Sequence, residues 1–419
     1  MQTKVTGRKH LPIKVLLTLP LILGALWLGF SRQFCTVSMY AFSPWVMASV
    51  LIIHLRIRPR WLDVALIVPI AASLATVDFL VFHYPPRIMT CLSLSGLSSF
   101  VIMAVRSVWD RERKLLLYAW VPAAIYIMTA PFIDVMHDWT TKAHPKTLDL
   151  YLLSFDSSLR LQLAFGVGQY YARLPWLRLS ALLAYVAAAI PMALVYAGRL
   201  ARFRERALPS ILAFLIAGPM GFLFYNLFPA CGPLYVFGQA FPFHPPSIAF
   251  LSQLVLQPIA IPGLRNAMPS LHLAWTLQAW WYSKGLSWIE RLVAFAFLAL
   301  TVVATLGTGE HWFVDLIVAF PYALLTQTIC AFHVPWKDPA RKAALFLSLG
   351  GILGWMALLR YGTDLFWTSP VVPWAFSAAT VALVSLRQAK LDSVADLATR
   401  AAVVQSVPAP SPLGNARIP

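Results

Sequence analysis

Two residues in the second half of the chain are spaced for nucleophilic or acid–base chemistry. His311 and Asp315 are four residues apart, so they share one face if the segment Gly307–Asp315 begins a helix. A carboxylate bonded to one ring nitrogen of a histidine fixes its tautomer and leaves the other nitrogen as a nucleophile or base. Gly307 and Gly309 precede the histidine and would let the backbone approach a ligand closely.

A second histidine lies in the segment Ala267–His272, which reads Ala-Met-Pro-Ser-Leu-His. Pro269 suits the first turn of a helix, where free N–H groups and the positive dipole end favour anions. Ser270 adds a hydroxyl and Arg265 a nearby positive charge. These residues predict an anion site beside a proton donor, His272. Simpler roles remain open: a plain helix cap for Ser270 and a headgroup anchor for Arg265.

Together the two segments favour phosphoryl transfer. We expect His311 to attack phosphorus, Asp315 to stabilise the resulting imidazolium, and His272 to protonate the leaving oxygen. The alternative for His311 and Asp315 is a structural pair that ties two helices together. The alternative for His272 is an interfacial histidine with satisfied hydrogen bonds.

The composition places these residues in a membrane protein. Of 419 residues, 59% are hydrophobic and 12% are charged, whereas soluble domains need about a quarter charged residues. Apolar windows long enough to cross a bilayer predict an all-α polytopic fold with about twelve transmembrane helices. The first is expected to be retained rather than cleaved as a signal peptide. The predicted spans are 13–30, 38–55, 62–82, 88–105, 115–135, 176–197, 208–228, 268–283, 291–308, 312–332, 342–360 and 371–386.

The distribution of positive charge predicts the orientation. Basic residues collect in every second loop, which indicates that both termini are cytoplasmic in an inner (plasma) membrane. This pattern explains the net charge of +17 better than a nucleic-acid partner does. It also puts His272 and His311 on the same, extracytoplasmic side. Two long outer segments follow: 136–175, with an expected interfacial helix at Asp149–Asp156, and the proline- and aromatic-rich 229–267.

The motifs Pro269–His272 and His311–Asp315 resemble the second and third signatures of the type-2 phosphatidic acid phosphatase superfamily. The residues of both motifs are most similar to those of the branch that contains inositol phosphorylceramide synthases and their bacterial relatives. The resemblance implies a six-helix core over 115–332 and a metal-independent, cofactor-free reaction through a phosphohistidine on His311. The remainder then divides into leading helices at 1–114, trailing helices at 333–390 and a disordered cytoplasmic tail at 391–419.

The chain departs from the superfamily pattern at its positive charges. Where the third signature usually begins Ser-Arg, this chain has Ala304 and Thr305, and Leu271 replaces the usual glycine. The first signature should supply a lysine and an Arg-Pro, but the corresponding stretch, Tyr225–Pro233, has no cation. Arg265, backbone N–H groups and the turn at Gly232 are the expected substitutes in binding substrate phosphate.

Two function classes compete. The first is a lipid phosphatase or phosphotransferase, with water or an alcohol as acceptor of the phosphoryl group. The second is a non-catalytic transporter or flippase of lipid-linked phosphates, which would need polar residues at mid-membrane and two halves with matching breaks. The sequence has neither feature. The substrate headgroup and the oligomeric state have no signature in the sequence.

Overall fold

In the computed structural model, residues 37–83 and 87–406 are described, and their regular structure is helical. The predicted span 13–30 lies outside these residues. The helices are α1 Val37–Arg56, α2 Trp61–Phe82, α3 Ile88–Trp109, α4 Arg113–Ala143, α5 Asp149–Ser158, α6 Leu163–Arg173, α7 Pro175–Val186, α8 Ala189–Phe203, α9 Leu208–Leu227, α10 Pro233–Phe237, α11 Ile248–Leu251, α12 Leu271–Tyr282, α13 Trp288–Gly307, α14 Phe313–Cys330, α15 Pro339–Tyr361, α16 Asp364–Trp367 and α17 Val371–Ser406.

Within the described residues, seven helical stretches are long and apolar enough to cross a membrane. This confirms an all-helical membrane protein, while the count of twelve spans stays a prediction. Two of the predicted spans differ from the helices that the chain forms. The span 176–197 is divided between α7 and α8, and α12 has only 12 residues, about 18 Å of helix. A helix of that length is shorter than the roughly 30 Å hydrocarbon layer.

Two further expectations need correction. The tail predicted from residue 391 is helical as far as Ser406, because α17 continues through a stretch rich in alanine and leucine, which are strong helix formers. Residues 407–419 lie outside the described part of the chain. The helix expected at the membrane interface does form as α5, but nearly all of its residues are buried. It is therefore a core element rather than a surface one.

The chain divides into two compact units that interleave in sequence, and the boundaries expected at 114, 332 and 390 stay predictions. The first unit contains the described residues up to Ala143, with Trp176–Ile211 and Ala279–Ala304. In it α1 packs on α3 and α8. Arg106 pairs with Asp63 and Asp110, and Arg56 pairs with Glu290. Basic residues of the predicted cytoplasmic loops therefore also neutralise acidic neighbours.

The second unit contains His144–Pro175, Leu212–Gln278 and the described residues from Thr305 onward. Its centre is α14, which packs against α15, α17 and the short α5. Most of α14 is buried, and polar contacts fix its neighbours. The Tyr322 hydroxyl donates to the Ala217 carbonyl of α9, and the Gln278 amide of α12 donates to Thr326. Interhelical hydrogen bonds of this kind specify packing between membrane helices.

Gly96 allows the closest contact in the first unit. A Cβ atom at this position in α3 would lie 2.2 Å from the Met47 carbonyl oxygen of α1, which is rigid backbone. We expect Gly96→Ala to destabilise the protein by about 1–3 kcal/mol through overpacking. Thermal unfolding in detergent measures the effect.

The matched control is Gly354→Ala in α15, where an added Cβ meets nothing within 4 Å. It should be neutral or slightly stabilising, because alanine is a better helix former than glycine. Equal melting temperatures for the two variants would contradict the contact between α1 and α3.

Candidate active site

The His311 ring joins the two sequence motifs. Its Nδ1 lies 2.8 Å from the Ala267 carbonyl oxygen, and its Nε2 lies 3.3 Å from the Ser270 hydroxyl. A carbonyl oxygen can only accept, so Nδ1 carries the proton and donates it to Ala267. Nε2 therefore holds the lone pair and is the basic, nucleophilic nitrogen of the ring.

Asp315 lies beside this ring but does not orient it as expected. Its Oδ2 is 3.5 Å from His311 Nδ1, farther than the Ala267 carbonyl oxygen, and accepts a 2.8 Å hydrogen bond from the Trp312 backbone N–H. The carboxylate thus caps its own helix, α14. Its Oδ1 is buried without a hydrogen-bond partner. The ring orientation is set by a backbone carbonyl, and Asp315 supplies negative charge next to it.

The segment before α12 lies against the His311 turn. The Ser270 backbone N–H donates to the Asp315 carbonyl at 3.3 Å, and the Ser270 carbonyl accepts from Ala274 N–H at 3.1 Å. Helix α12 begins at Leu271, so Pro269 precedes the helix instead of occupying its first turn. Half-buried His272 lies in that first turn, with its ring against Trp275. The Ser270 hydroxyl faces the nucleophilic nitrogen, so its role exceeds a plain helix cap.

A buried carboxylate that the sequence motifs do not include holds the His311 turn from one side. Asp149, at the start of α5, is fully buried. Its oxygens accept from the backbone N–H groups of Cys231 and Gly232 and from the Trp312 indole at 2.8–3.1 Å. Burial raises the pKa of Asp149, and the hydrogen bonds from these donors oppose the shift. Asp149 thereby ties the 231–232 backbone to the residue after His311.

Asp156 holds the residues that follow this turn. It lies seven residues after Asp149, two helical turns later on the same face of α5. Its carboxylate accepts from the Phe313 and Val314 backbone N–H groups at 2.7 and 3.2 Å. It therefore occupies the N-terminus of α14, which is closed to a substrate anion. Burial raises the pKa of Asp156 to about 8, and the nearby charge of Asp315 adds to the rise.

Gly232 makes the close packing of these segments possible. Its φ of +126° is a conformation that favours glycine, and a Cβ there would lie 2.6 Å from the Glu310 backbone. Because its N–H donates to Asp149, that donor is not available to a phosphate. Gly232 shapes the turn around His311, and its predicted contact with substrate is not supported.

Arg265 has a different role from the one expected. Its side chain is nearly fully buried, with a relative exposure of 3%. All five guanidinium N–H groups have partners within the protein. Those partners are the carbonyl oxygens of His144, Pro145, Ile261 and Gly263, and the sulfur of Cys231. Arg265 fixes the loop around it, and these contacts leave it no donor for a phosphate or for a lipid headgroup.

One protein-family model matches this region of the chain. Residues 150–329 match the model of the PAP2 superfamily. The match begins within α5 and ends in α14, so it contains both motifs and Asp156, but not the predicted first core helix at 115–135. No curated protein and no solved structure matches the chain significantly. The match supports a phosphatase or phosphotransferase that acts on phosphoesters.

Motif reasoning missed Asp149, which lies just before the matched residues, and Asp156, which lies within them. The signal was present: two acidic residues at a spacing of seven, separated by the apolar run Leu150–Phe155, in a chain with 16 acidic residues. That spacing puts both on one helix face. A helix with two carboxylates on an otherwise apolar surface buries them against donors more often than it lies on a membrane.

The contacts of Arg265 predict a structural defect on substitution. Arg265→Ala leaves four buried or half-buried carbonyl oxygens without their donor, at a cost of roughly 1–3 kcal/mol for each one that water cannot reach. We expect a clear fall in the melting temperature of the purified protein. The Michaelis constant of the folded fraction should stay near that of the parent. A selective rise in the Michaelis constant with unchanged melting temperature would instead indicate a phosphate contact.

The raised pKa of Asp156 predicts a pH dependence of stability. Because the folded-state pKa of about 8 exceeds the ordinary value of 3.8, the native state binds more protons between these limits. The free energy of unfolding should therefore fall as pH rises from about 4 to about 8, by up to about 1.4 kcal/mol per pH unit.

Asp156→Asn keeps one carbonyl acceptor and removes the titration. Melting temperature plotted against pH should accordingly be flatter for this variant than for the parent protein. Asp138→Asn is the control, since Asp138 is exposed and pairs only with Lys142 among the contacts described. Parallel curves for parent and Asp156→Asn would contradict the assignment.

Proposed function

We propose that this protein is an integral membrane phosphatase or phosphotransferase that acts on a lipid-linked phosphate through a phosphohistidine on His311. One observation carries the proposal. The Ala267 carbonyl holds His311 Nδ1–H, so Nε2 presents its lone pair beside Ser270, at the start of α12. The PAP2 superfamily match supports the same reaction class.

The first half of the reaction follows from this arrangement. Nε2 attacks phosphorus, a P–N bond forms, and the bond to the leaving oxygen breaks. His272 donates a proton to that oxygen. The first N–H groups of α12 have no intrahelical partner and, with the Ser270 hydroxyl, would bind the phosphoryl oxygens. Asp315, 3.5 Å from Nδ1, stabilises the positive charge that develops on the ring.

In the second half an acceptor displaces His311 from phosphorus. Water as acceptor gives a phosphatase, and an alcohol gives a transferase of the inositol phosphorylceramide synthase kind. Aromatic rings pack around Trp312, the residue after His311. The Phe237 ring centroid lies 6.3 Å from that of Trp312 and 5.1 Å from that of Phe165, and the Phe165 ring also contacts Phe241. An apolar wall beside His311 reduces access of water and favours an alcohol acceptor.

The positive charge available at the site limits how many negative charges the substrate phosphate can carry. The superfamily positions that usually hold cations are uncharged here, and Thr305 is fully buried. Arg265 uses its donors on backbone carbonyls and therefore adds no donor for the phosphate. Helix N–H groups, a hydroxyl and an imidazolium balance one negative charge more readily than two. This favours a phosphodiester lipid, with one charge, over a phosphomonoester with two.

The proposed location follows from the basic loops and the apolar helices. Both termini face the cytoplasm, and the His311 site faces the extracytoplasmic side of the inner (plasma) membrane. There a lipid headgroup reaches the site while its tail stays in the bilayer. Neither nucleic acid nor a cofactor takes part, and the reaction needs no metal ion.

The test is turnover by the purified protein in detergent. It is incubated with lipid phosphomonoesters, diesters and diphosphates, with and without an alcohol and with a metal chelator. We expect activity that survives the chelator and falls by roughly 10³-fold or more in His311→Ala, as for the nucleophile of a catalytic unit. His244→Ala, which changes an exposed loop histidine, is the matched control and should keep full activity. Undiminished turnover in His311→Ala would exclude the mechanism.

A further inference from the structure

Glu310 is an ionisable residue beside the nucleophile that the reaction described above does not use. It directly precedes His311 and is half-buried. Burial raises the pKa of its carboxyl, while the charge of His311 and the Tyr235 hydroxyl act in the opposite direction. A desolvated carboxylate with few partners is costly, and such groups concentrate where proton transfer occurs.

The carboxylate of Glu310 is held by Tyr235 at the end of a chain of contacts. The Tyr235 hydroxyl donates to the carboxylate and lies 3.3 Å from both of its oxygens. The Tyr235 ring lies flat against Gly263, where a Cβ would come within 2.5 Å of it. Gly263 has a φ of +112°, and its carbonyl accepts from the buried Arg265.

These contacts fix where the carboxylate lies. Arg265 holds the Gly263 turn, the turn supports the Tyr235 ring, and the phenol anchors Glu310. The backbone of Glu310 is confined as well, because Gly232 packs against it. A carboxylate that its neighbours hold in one position is suited to proton transfer, which requires a fixed distance to the group that loses the proton.

We infer that Glu310, held by Tyr235, is the general base that takes the proton of the acceptor hydroxyl when the phosphohistidine on His311 is broken down. This inference rests on the proposed function and adds a residue to it. His272, deprotonated after the first half-reaction, is the competing base, and the breakdown rate of Glu310→Gln distinguishes the two.

The proposed step balances. The acceptor oxygen attacks phosphorus and forms a new P–O bond, while the bond between phosphorus and His311 Nε2 breaks and its electron pair returns to the ring. The acceptor proton moves to the Glu310 carboxylate. Solvent then carries a proton from Glu310 to His272, which restores the starting state for the next cycle.

Three titratable groups surround Glu310. They are His311, Tyr235 and the thiol of Cys231, whose pKa burial raises to about 12 so that it stays neutral. Arg265 contacts Cys231 through its guanidinium. Tyr235 is therefore the group whose removal should change the Glu310 carboxyl with least effect on the others.

The first experiment separates the two half-reactions by rapid quench. The probes are phosphatidic acid and phosphatidylinositol with radiolabelled phosphate, with glycerol as alcohol acceptor. In Glu310→Gln we expect phosphohistidine to form at near the parent rate but to break down roughly 10²–10⁴-fold more slowly, so that label accumulates on the protein. Formate should partly rescue Glu310→Ala by supplying a carboxylate. Glu112→Gln, which changes an exposed glutamate, is the control.

The second experiment uses Tyr235→Phe, which keeps the ring and removes the hydroxyl. Loss of that donor destabilises the charged carboxylate, so the acid limb of the breakdown rate should move to higher pH. A purely structural role for Tyr235 would lower the rate without moving the limb. Tyr170→Phe, at an exposed tyrosine, should leave the profile unchanged.

The outcomes are distinguishable. If the parent protein forms no phosphohistidine with either probe, the proposed function fails and the inference falls with it. If the parent forms phosphohistidine and Glu310→Gln breaks it down at the parent rate, the inference alone is overturned. Should Glu310→Gln fail to fold, an unmoved acid limb in Tyr235→Phe overturns the inference and a shifted limb supports it.

Discussion

The hydrogen bond between His311 Nδ1 and the Ala267 carbonyl is the contact on which the site depends. It joins two segments far apart in sequence and decides which ring nitrogen carries a lone pair. A carbonyl oxygen has no titration of its own in this range, so its hold on Nδ1–H does not depend on the protonation of a partner. A carboxylate in the same place would also bind the ring but would couple its orientation to its own titration.

The turn that carries His311 is held by short helix α5. Asp149 and Asp156 lie two turns apart on one face and accept hydrogen bonds from the three residues that follow the histidine: the Trp312 indole bonds to Asp149, and the Phe313 and Val314 backbones bond to Asp156. Because a helix is a stiff spacer, this arrangement transmits little motion from the surrounding chain to the ring.

Sequence reasoning anticipated an all-helical chain with long apolar helices, because apolar length and helical spacing are local signals. It failed for contacts that depend on tertiary neighbours. Arg265 was expected to bind phosphate, since an arginine near a helix start suits an anion, yet backbone carbonyls surround it. The apolar run within α5 indicated an interface, because periodicity cannot distinguish a membrane surface from a protein interior.

Three buried carboxylates close to an anionic substrate would oppose its binding unless their charges were balanced. Asp149 accepts three N–H groups, which compensate its charge, and Asp156, whose pKa burial raises to about 8, carries little charge at neutral pH. Asp315 accepts the Trp312 N–H and has one buried oxygen without a donor. It is therefore the carboxylate whose field acts most strongly on His311. Its charge lies 3.5 Å from Nδ1, on the opposite side of the ring from Nε2, so it would stabilise the imidazolium of the proposed reaction while the ring separates it from the proposed phosphate position.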